Sequence, residues 1–302
     1  MNIVNREKRQ IPEILDKYAD HLDKLIDMAS TLLDKYLQKN ALGDDKLVAI
    51  LFFRNALEYA DSISILIRNS SIEPIKAINR ILLENLLQLE YLLDCDTERR
   101  SYAFLVWMLK QEIKIYKKID KNSLQNVHFK KKISNDKLIK DISVFDNIKV
   151  EAALERYSEI LKIDGYKEAN IEYEKMKSKS NAYWFSLYSG PKNISELAEK
   201  LNRSAHYEIF YRNMSNNIHG TDIFKNKLVS KQDTGLTHLL KLRNPHEADI
   251  VLKDTLNFLF SMNLIFLQKL IPEETESFGV WYLSFQDFFI NLGKKEDFAV
   301  IK

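Results

Sequence analysis

The residues best suited to chemistry in this 302-residue chain are Arg212 and His219, seven positions apart in a segment predicted to be helical. Seven residues span about two helical turns, so both side chains leave the same face, about 10 Å apart along the axis. Ser215 and Asn216 lie between them, and Glu208 extends this polar row backwards by one turn. A permanently charged guanidinium beside an imidazole that titrates near neutral pH suits an anionic substrate.

Apolar side chains recur beside this polar row at the spacing of a core-facing helix. The stripe consists of Tyr207, Phe210, Tyr211, Met214 and Ile218. It predicts a helix over residues 204–218 that ends before Gly220, with the polar row at the lip of a cleft. For His219 the alternative is a core or capping histidine, whose cationic form the end of a helix favours.

The composition predicts an all-α protein. Only seven glycines and five prolines occur in 302 residues, and 45% of the residues are apolar. The net charge of +2 gives no general sign of nucleic-acid binding, and the single cysteine, Cys95, excludes an internal disulfide. The apolar stretch 256–271 contains several polar residues, so it predicts a core helix of a cytoplasmic protein.

Apolar periodicity predicts a succession of helices with short connections. Asp44 and Asp45 are predicted to cap the second helix, and the third is apolar nearly all round, which is typical of a central helix. The predicted helices cover approximately residues 12–37, 46–67, 74–93, 97–109, 149–161, 194–201, 204–218, 247–270 and 278–292.

Arg80 and Glu84 are one turn apart within the apolar third helix, and Gln88 continues their face. Burying each of these charges costs on the order of several kcal/mol unless the two charges pair and gain further hydrogen bonds. One interpretation is a structural pair that fixes helix register, joined by Arg54 and Glu58. The other is a polar wall opposite the Arg212/His219 face.

The one basic concentration lies between residues 110 and 140, with ten lysines against three acidic residues. It contains Lys130, Lys131 and Lys132, preceded by His128 and Phe129. One interpretation is a solvated helix end and connector. The other is a contact surface for nucleic-acid phosphates, with Tyr116, His128 and Phe129 available for stacking.

A set of short signatures, in order along the chain, resembles the bacterial family known as domain of unknown function 5677. The resemblance covers about residues 45–272. The signatures are Arg80-x-x-x-Glu84, Tyr91, Arg99-Arg100-x-Tyr102, the Trp184 turn, the Ile194–Leu201 helix and Tyr211-x-x-x-Ser215-x-x-x-His219-Gly220.

The Arg212-Asn213…His219 element is also similar to the signature of the HEPN superfamily (higher eukaryotes and prokaryotes nucleotide-binding). This resemblance implies an all-α multi-helix bundle that often dimerises through this helix. It also implies a metal-independent RNase, without a cofactor, of a toxin–antitoxin or anti-phage system. Arg212 and His219 would be catalytic, with Asn213, Ser215, Asn216, Glu84 and Arg80 in support.

These observations predict one helical domain over residues 1–302, with a HEPN-like core. An N-terminal helix, a lysine-rich insert and a C-terminal segment are added to that core. The respective parts are 1–44 for the N-terminal helix, 45–109 and 146–272 for the core, 110–145 for the insert and 273–302 for the C-terminal segment. The alternative to a nuclease is a non-catalytic helical module that binds a nucleotide, RNA or a protein. A third hypothesis is a scaffold in which the polar network only specifies the core.

Overall fold

A computed structural model describes residues 12–41, 43–139, 141, 143, 145, 148–176, 183–218, 227–230 and 237–292. For residues 44, 216–218, 229 and 230 it describes the backbone only. The helices are α1 Ile14–Lys39, α2 Asp44–Arg68, α3 Ile75–Asp94, α4 Thr97–Ile119, α5 Leu124–Ile133, α6 Glu151–Ile160, α7 Tyr166–Met176, α8 Ile194–Lys200, α9 Arg212–Ile218, α10 Ala248–Leu270 and α11 Thr275–Asn291. Short 3-10 segments cover Trp184–Ser189 and Pro272–Glu274, and a π-helical segment covers His206–Tyr211. Strands β1 Leu228–Ser230 and β2 Thr237–Leu239 form a two-stranded antiparallel hairpin.

This architecture confirms the predicted all-α multi-helix bundle. The chain forms two compact units. The first consists of Met1–Gly43, Ala49–Cys95 and Ile194–Lys302, and the second of Asp44–Val48 and Asp96–Asn193. The prediction of a single helical domain with an added insert stays a prediction.

Helix α3 is the centre of the first unit, as its apolar composition predicts. Eleven of its residues are buried, most of them leucines. Side-chain hydrogen bonds fix it against α10: Asn79 donates to the Val251 carbonyl (2.9 Å) and accepts from Thr255 (2.8 Å). At the other end Lys269 donates to the Asp94 carbonyl (3.4 Å), so α3 and α10 run parallel.

Aromatic rings pack the remaining helices of this unit around α10. Phe266 stacks on Phe53 of α2 at 4.2 Å and meets Tyr36 of α1 edge-on at 5.9 Å. Phe260 meets Phe285 of α11 edge-on at 5.4 Å. Such ring pairs contribute about 0.5–1.5 kcal/mol each beyond the area that they bury.

The second unit is built around α4. Phe104 of α4 meets Trp184 edge-on at 5.7 Å, and Tyr102 meets Tyr166 at 5.1 Å. Gly165 has φ +82°, and a Cβ atom there would lie 2.6 Å from the Tyr102 ring, so both backbone and space require glycine. Asn126 donates to the free carbonyls of Lys118 and Ile119 and thereby closes the C-terminus of α4.

Several details differ from the sequence-based expectations. The residue that caps α2 is Gly43, without a side-chain hydrogen bond. The predicted caps Asp44 and Asp45 are therefore wrong, because the helix already includes both as its first two residues. The β1–β2 hairpin was not predicted, since its three-residue strands are too short to produce a recognisable alternation.

Among the described residues, α10 is the one helix long and apolar enough to cross a membrane by length and composition. However, 61% of the most apolar 18-residue stretch of this helix is buried within the protein. This burial confirms the predicted core helix, and the cytoplasmic location stays a prediction.

Candidate functional site

The predicted Arg212/His219 helix is present, but it is not a uniform α-helix. Residues 204–218 are continuously helical, and His206–Tyr211 form a π-helical turn within them. The Arg212 amide donates to the Tyr207 carbonyl, five residues earlier, where an α-helix would use the residue four earlier. Single π turns inside α-helices occur frequently at functional sites. We call residues 204–218 the motif helix.

Arg212 lies on the exposed side of the motif helix. Its side chain is 65% exposed, and its guanidinium donates to the Glu208 carboxylate at 2.7 Å. The hydrogen bond and charge of Glu208 raise the pKa of Arg212, with a smaller contribution from nearby Tyr207. An exposed ion pair of this kind contributes little to stability, because water and salt screen it. Arg212 is therefore accessible to an external anion.

The other predicted site residues on this helix are only partly described. Asn213 is exposed and donates to the Ile209 carbonyl at 2.6 Å, and Ser215 is half-buried. The Asn216 side chain, His219 and Gly220 lie outside the described residues. The pairing of Arg212 with His219 on one face therefore stays a prediction.

The predicted apolar stripe lies on the less exposed side of the motif helix. Met214 is buried, but Tyr207, Phe210 and Tyr211 are only half-buried, and the Ile218 side chain lies outside the described residues. Residues 208, 209, 212 and 213, which lie between these positions, are exposed, so the stripe keeps its predicted spacing across the π turn.

Arg80 and Glu84 of α3 support this helix from its inner side. The Arg80 guanidinium donates to the Tyr211 hydroxyl at 2.7 Å and its carbon lies 4.5 Å from the centre of the Tyr211 ring. Arg80 also pairs with Glu84 at 3.3 Å. Burial raises the pKa of Tyr211, and the charge of Glu84 also raises it, although Arg80 acts in the opposite direction. Tyr211 therefore remains a neutral phenol at neutral pH.

This arrangement agrees with the structural interpretation of the Arg80–Glu84 pair, with Tyr211 as an additional partner. Arg54 and Glu58 do not join it, contrary to expectation. They pair with each other at 2.8 Å on an exposed face of α2. Arg54 lies on the solvent side of α2. The sequence of α2 did not indicate this side, because apolar residues occur around most of the helix.

A second polar contact fixes the start of the motif helix, and sequence reasoning missed it. Arg203 pairs with Glu90 of α3, and its guanidinium lies 3.3 Å from the His206 imidazole. Burial lowers the pKa of His206, and the Arg203 charge lowers it further, so this histidine is neutral near pH 7. Arg80 comes ten positions before Glu90 on α3, whereas its partner Tyr211 comes after Arg203, the partner of Glu90. The motif helix is therefore antiparallel to α3.

Lys130, Lys131 and Lys132 belong to the second unit, at the end of α5. Lys131 and Lys132 are exposed, and Lys130 is half-buried. Two of the three predicted stacking residues already have aromatic partners: Phe129 meets Phe145 at 5.4 Å and Tyr116 meets Tyr157 at 5.8 Å. Lys131 and Lys132 are accessible to phosphates, and the predicted nucleic-acid contact of the three lysines stays a prediction.

Two cavities of about 400 Å³ lie elsewhere. One, in the second unit, is lined by Arg99, Tyr102 and Tyr188, among others, and the Arg99 guanidinium lies 4.9 Å from the centre of the Tyr188 ring. The other, of about 410 Å³ in the first unit, lies between the loop 71–74 and the β hairpin. Within the described residues, no group of three or more His, Cys, Asp or Glu side chains is arranged to hold a metal ion.

By its fold the chain is an all-α protein in which polar contacts hold the motif helix, with its π turn, against the central helix α3. A family model described as "Family of unknown function (DUF5677)" matches residues 46–236, which is more than half of the chain. The chain belongs to this family. The match begins where the resemblance predicts and ends before the predicted limit at residue 272. No curated protein and no solved structure shows significant similarity to the chain.

Proposed function

We propose that this protein is a HEPN-like, metal-independent endoribonuclease that uses Arg212 and His219. The observation that supports the proposal most strongly is the exposed guanidinium of Arg212 directly after a π turn. The Arg212 guanidinium can exchange its exposed partner, the Glu208 carboxylate, for a phosphate. An arginine and a phosphate form two parallel hydrogen bonds.

The chemistry requires a proton-transfer group and a fixed positive charge. In the proposed reaction, His219 accepts the proton of the ribose 2′-hydroxyl, and the 2′-oxygen attacks the adjacent phosphorus. The bond from phosphorus to the 5′-oxygen breaks, and that oxygen receives a proton. Arg212 stabilises the additional negative charge on the phosphoryl oxygens. The products are a 2′,3′-cyclic phosphate and a 5′-hydroxyl end.

One Arg/His pair supplies only one proton-transfer group, whereas the reaction needs an acid and a base. We therefore propose a homodimer in which two motif helices meet, so that two pairs form one site. Asn213, Ser215 and Asn216 would orient the phosphate. Glu84 and Arg80 would act indirectly, by fixing Tyr211 and thus the helix.

In biological terms, we propose a cytoplasmic bacterial toxin or anti-phage effector with RNA as substrate and an antitoxin or another defence protein as partner. Lys130, Lys131 and Lys132 would contribute long-range attraction for RNA. The exposure of Lys131 and Lys132 supports this role, and salt would weaken the attraction.

The test is growth arrest on induced expression of the wild type, Arg212→Ala and His219→Ala, with the helical circular dichroism of each purified protein as control. We expect both substitutions to abolish arrest and to leave the dichroism unchanged. Equal arrest by all three proteins would reject the nuclease.

The alternative is a non-catalytic module that binds RNA, a nucleotide or a protein through the same face. The specific observation in its favour is that Arg212 is exposed and suited to anion binding whether or not a histidine acts beside it. In that case RNA binds measurably and remains intact after long incubation.

A further inference from the structure

Three flat groups are stacked on one another at the inner edge of the motif helix. The Arg80 guanidinium carbon lies 4.5 Å from the centre of the Tyr211 ring. The Tyr211 ring in turn lies 5.0 Å from that of Tyr207, and the two rings are within 18° of parallel. The hydrogen bond from Arg80 to the Tyr211 hydroxyl fixes the inner end of this stack.

The outer end of the stack is Tyr207. Tyr207 is half-buried, and Tyr211 is the one ring that stacks on it among the described residues. Arg203, one turn earlier, is directed to Glu90 and His206. Among the described residues, no guanidinium and no further ring lies on the second face of the Tyr207 ring.

The π turn brings this ring close to Arg212. In an α-helix, residues five apart point about 140° away from each other. Here the Arg212 amide bonds to the Tyr207 carbonyl, so the two residues are one π turn apart and their side chains lie much nearer in direction. Tyr207 is near enough to Arg212 to act on its pKa, after the larger effect of Glu208.

We propose that Tyr207 is a stacking platform for an unpaired RNA base, beside a phosphate bound by Arg212. This inference rests on the proposed RNA-directed function and names the part of the substrate that the motif helix recognises. Aromatic side chains bind unpaired bases of single-stranded RNA by stacking, and they accept every base because each has a π face. Tyr207 would thus provide affinity for single-stranded RNA without strong base preference.

The experiment measures binding of a fluorescent, 2′-O-methylated single-stranded RNA, which has no free 2′-hydroxyl to attack the phosphate. We compare the wild type with Tyr207→Leu, which removes the π face, and Tyr207→Phe, which keeps it. Tyr207→Leu should weaken binding about 5- to 150-fold, the loss expected for one stacked base, and Tyr207→Phe should bind like the wild type. Tyr183→Leu is the matched control, because Tyr183 is also partly exposed and stacks on Phe185 at 5.0 Å.

A second measurement keeps the proposal testable if Tyr207→Leu fails to fold, as shown by its dichroism. An RNA with a single abasic nucleotide, moved through each position in turn, should bind the wild type more weakly at one position than at the others. Equal binding of every abasic RNA, or equal binding of Tyr207→Leu and wild type, would overturn the stacking platform.

The outcomes separate this inference from the nuclease. Tyrosine-dependent binding without cleavage of unmodified RNA supports the platform and rejects the nuclease. Cleavage and binding that are the same in wild type and Tyr207→Leu support the nuclease and reject the platform. Absence of any RNA binding by the wild type overturns the platform.

Discussion

Two arginine–glutamate pairs, each four residues apart on a helix, illustrate how the same chemistry serves different purposes in this protein. Arg80 and Glu84 have side chains 18% and 30% exposed, and Tyr211 adds a hydrogen bond and a ring. Arg212 and Glu208 have side chains 65% and 56% exposed, and their main contact is with each other. The first pair fixes two helices together, whereas the second leaves its guanidinium available.

The physical basis of the difference is solvent. Charges in water attract weakly because of its high dielectric constant, and dissolved salt weakens the attraction further. Charges that are partly removed from water need their partners, since an unpaired one loses hydration without compensation. Arg54–Glu58, 64% and 62% exposed, is of the second kind and offers a matched control for Arg212.

The largest expected effect is on activity. Arg212→Ala should reduce the rate of RNA cleavage about 100- to 1000-fold, as observed when a group that stabilises transition-state charge is removed. Arg212→Lys should retain part of the rate, since it keeps the charge but loses the two parallel hydrogen bonds. Initial rates with a labelled RNA measure both, and Arg54→Ala should cleave like the wild type. Equal losses for Arg54→Ala and Arg212→Ala would point to a general charge effect.

Asp254 of α10 extends the comparison of buried and exposed charges, because it is a partly buried carboxylate that forms no ion pair with the described residues. Burial raises its pKa to about 7. The unfolded value is about 3.9, so the folded state binds the proton more tightly. The free energy of unfolding therefore falls as the pH rises from about 4 to about 7.

Asp254→Asn should remove this pH dependence. We expect it to increase the free energy of unfolding by about a few kcal/mol at pH 8 and by much less at pH 5. Urea unfolding curves at the two pH values give the difference. The same change in stability at both would mean that Asp254 does not titrate with the raised pKa.

Arg80→Ala should lower the free energy of unfolding by about 1–2 kcal/mol, because Glu84 and the Tyr211 hydroxyl then lose a partner while partly buried. For a chain of this size that corresponds to a decrease in Tm of about 2–3 °C. Arg54→Ala should change stability by less than about 0.5 kcal/mol.

In a double-mutant cycle, the changes in the free energy of unfolding caused by Arg80→Ala and Tyr211→Phe should be non-additive. Additive effects would show that the two residues do not support each other.

The smallest expected effect concerns Glu208. Glu208→Gln removes a negative charge beside the proposed phosphate position, so RNA should bind about two- to fivefold more tightly at low salt. The gain should disappear at high salt because ions screen the charge. Fluorescence titrations at two salt concentrations test this, with Glu58→Gln as control. Tighter binding by both variants would indicate only a change of net charge.

Much of the fold followed from the sequence. The scarcity of glycine and proline and the apolar periodicity predicted the all-α bundle, and the dense leucines of α3 predicted its central position. The π turn at His206–Tyr211 was not predictable from periodicity, because one extra residue per turn leaves the local composition unchanged. The stack of Tyr207 and Tyr211 with Arg80 was not predictable either, because it joins residues of two different helices.

The candidate site was predictable in residue types and only partly in arrangement. Spacing alone indicated that Arg212 lies on a polar face, and the structure shows it exposed. The contact of Arg80 with Tyr211 links residues 131 positions apart, and that of Arg203 with Glu90 links residues 113 apart. Such pairings depend on how helices pack, which a single sequence does not specify. The Arg99–Tyr188 contact likewise needed the folded chain.

The most direct test of the central claim is the rate at which purified protein cleaves single-stranded RNA in excess EDTA, with Arg212→Ala and His219→Ala measured in parallel. The proposed reaction uses an arginine and a histidine, so we predict cleavage by the wild type that the chelator does not change, and a 2′,3′-cyclic phosphate end on the product. Both variants should leave the RNA intact. Intact RNA with folded wild-type protein, or cleavage that persists in both variants, would contradict the account.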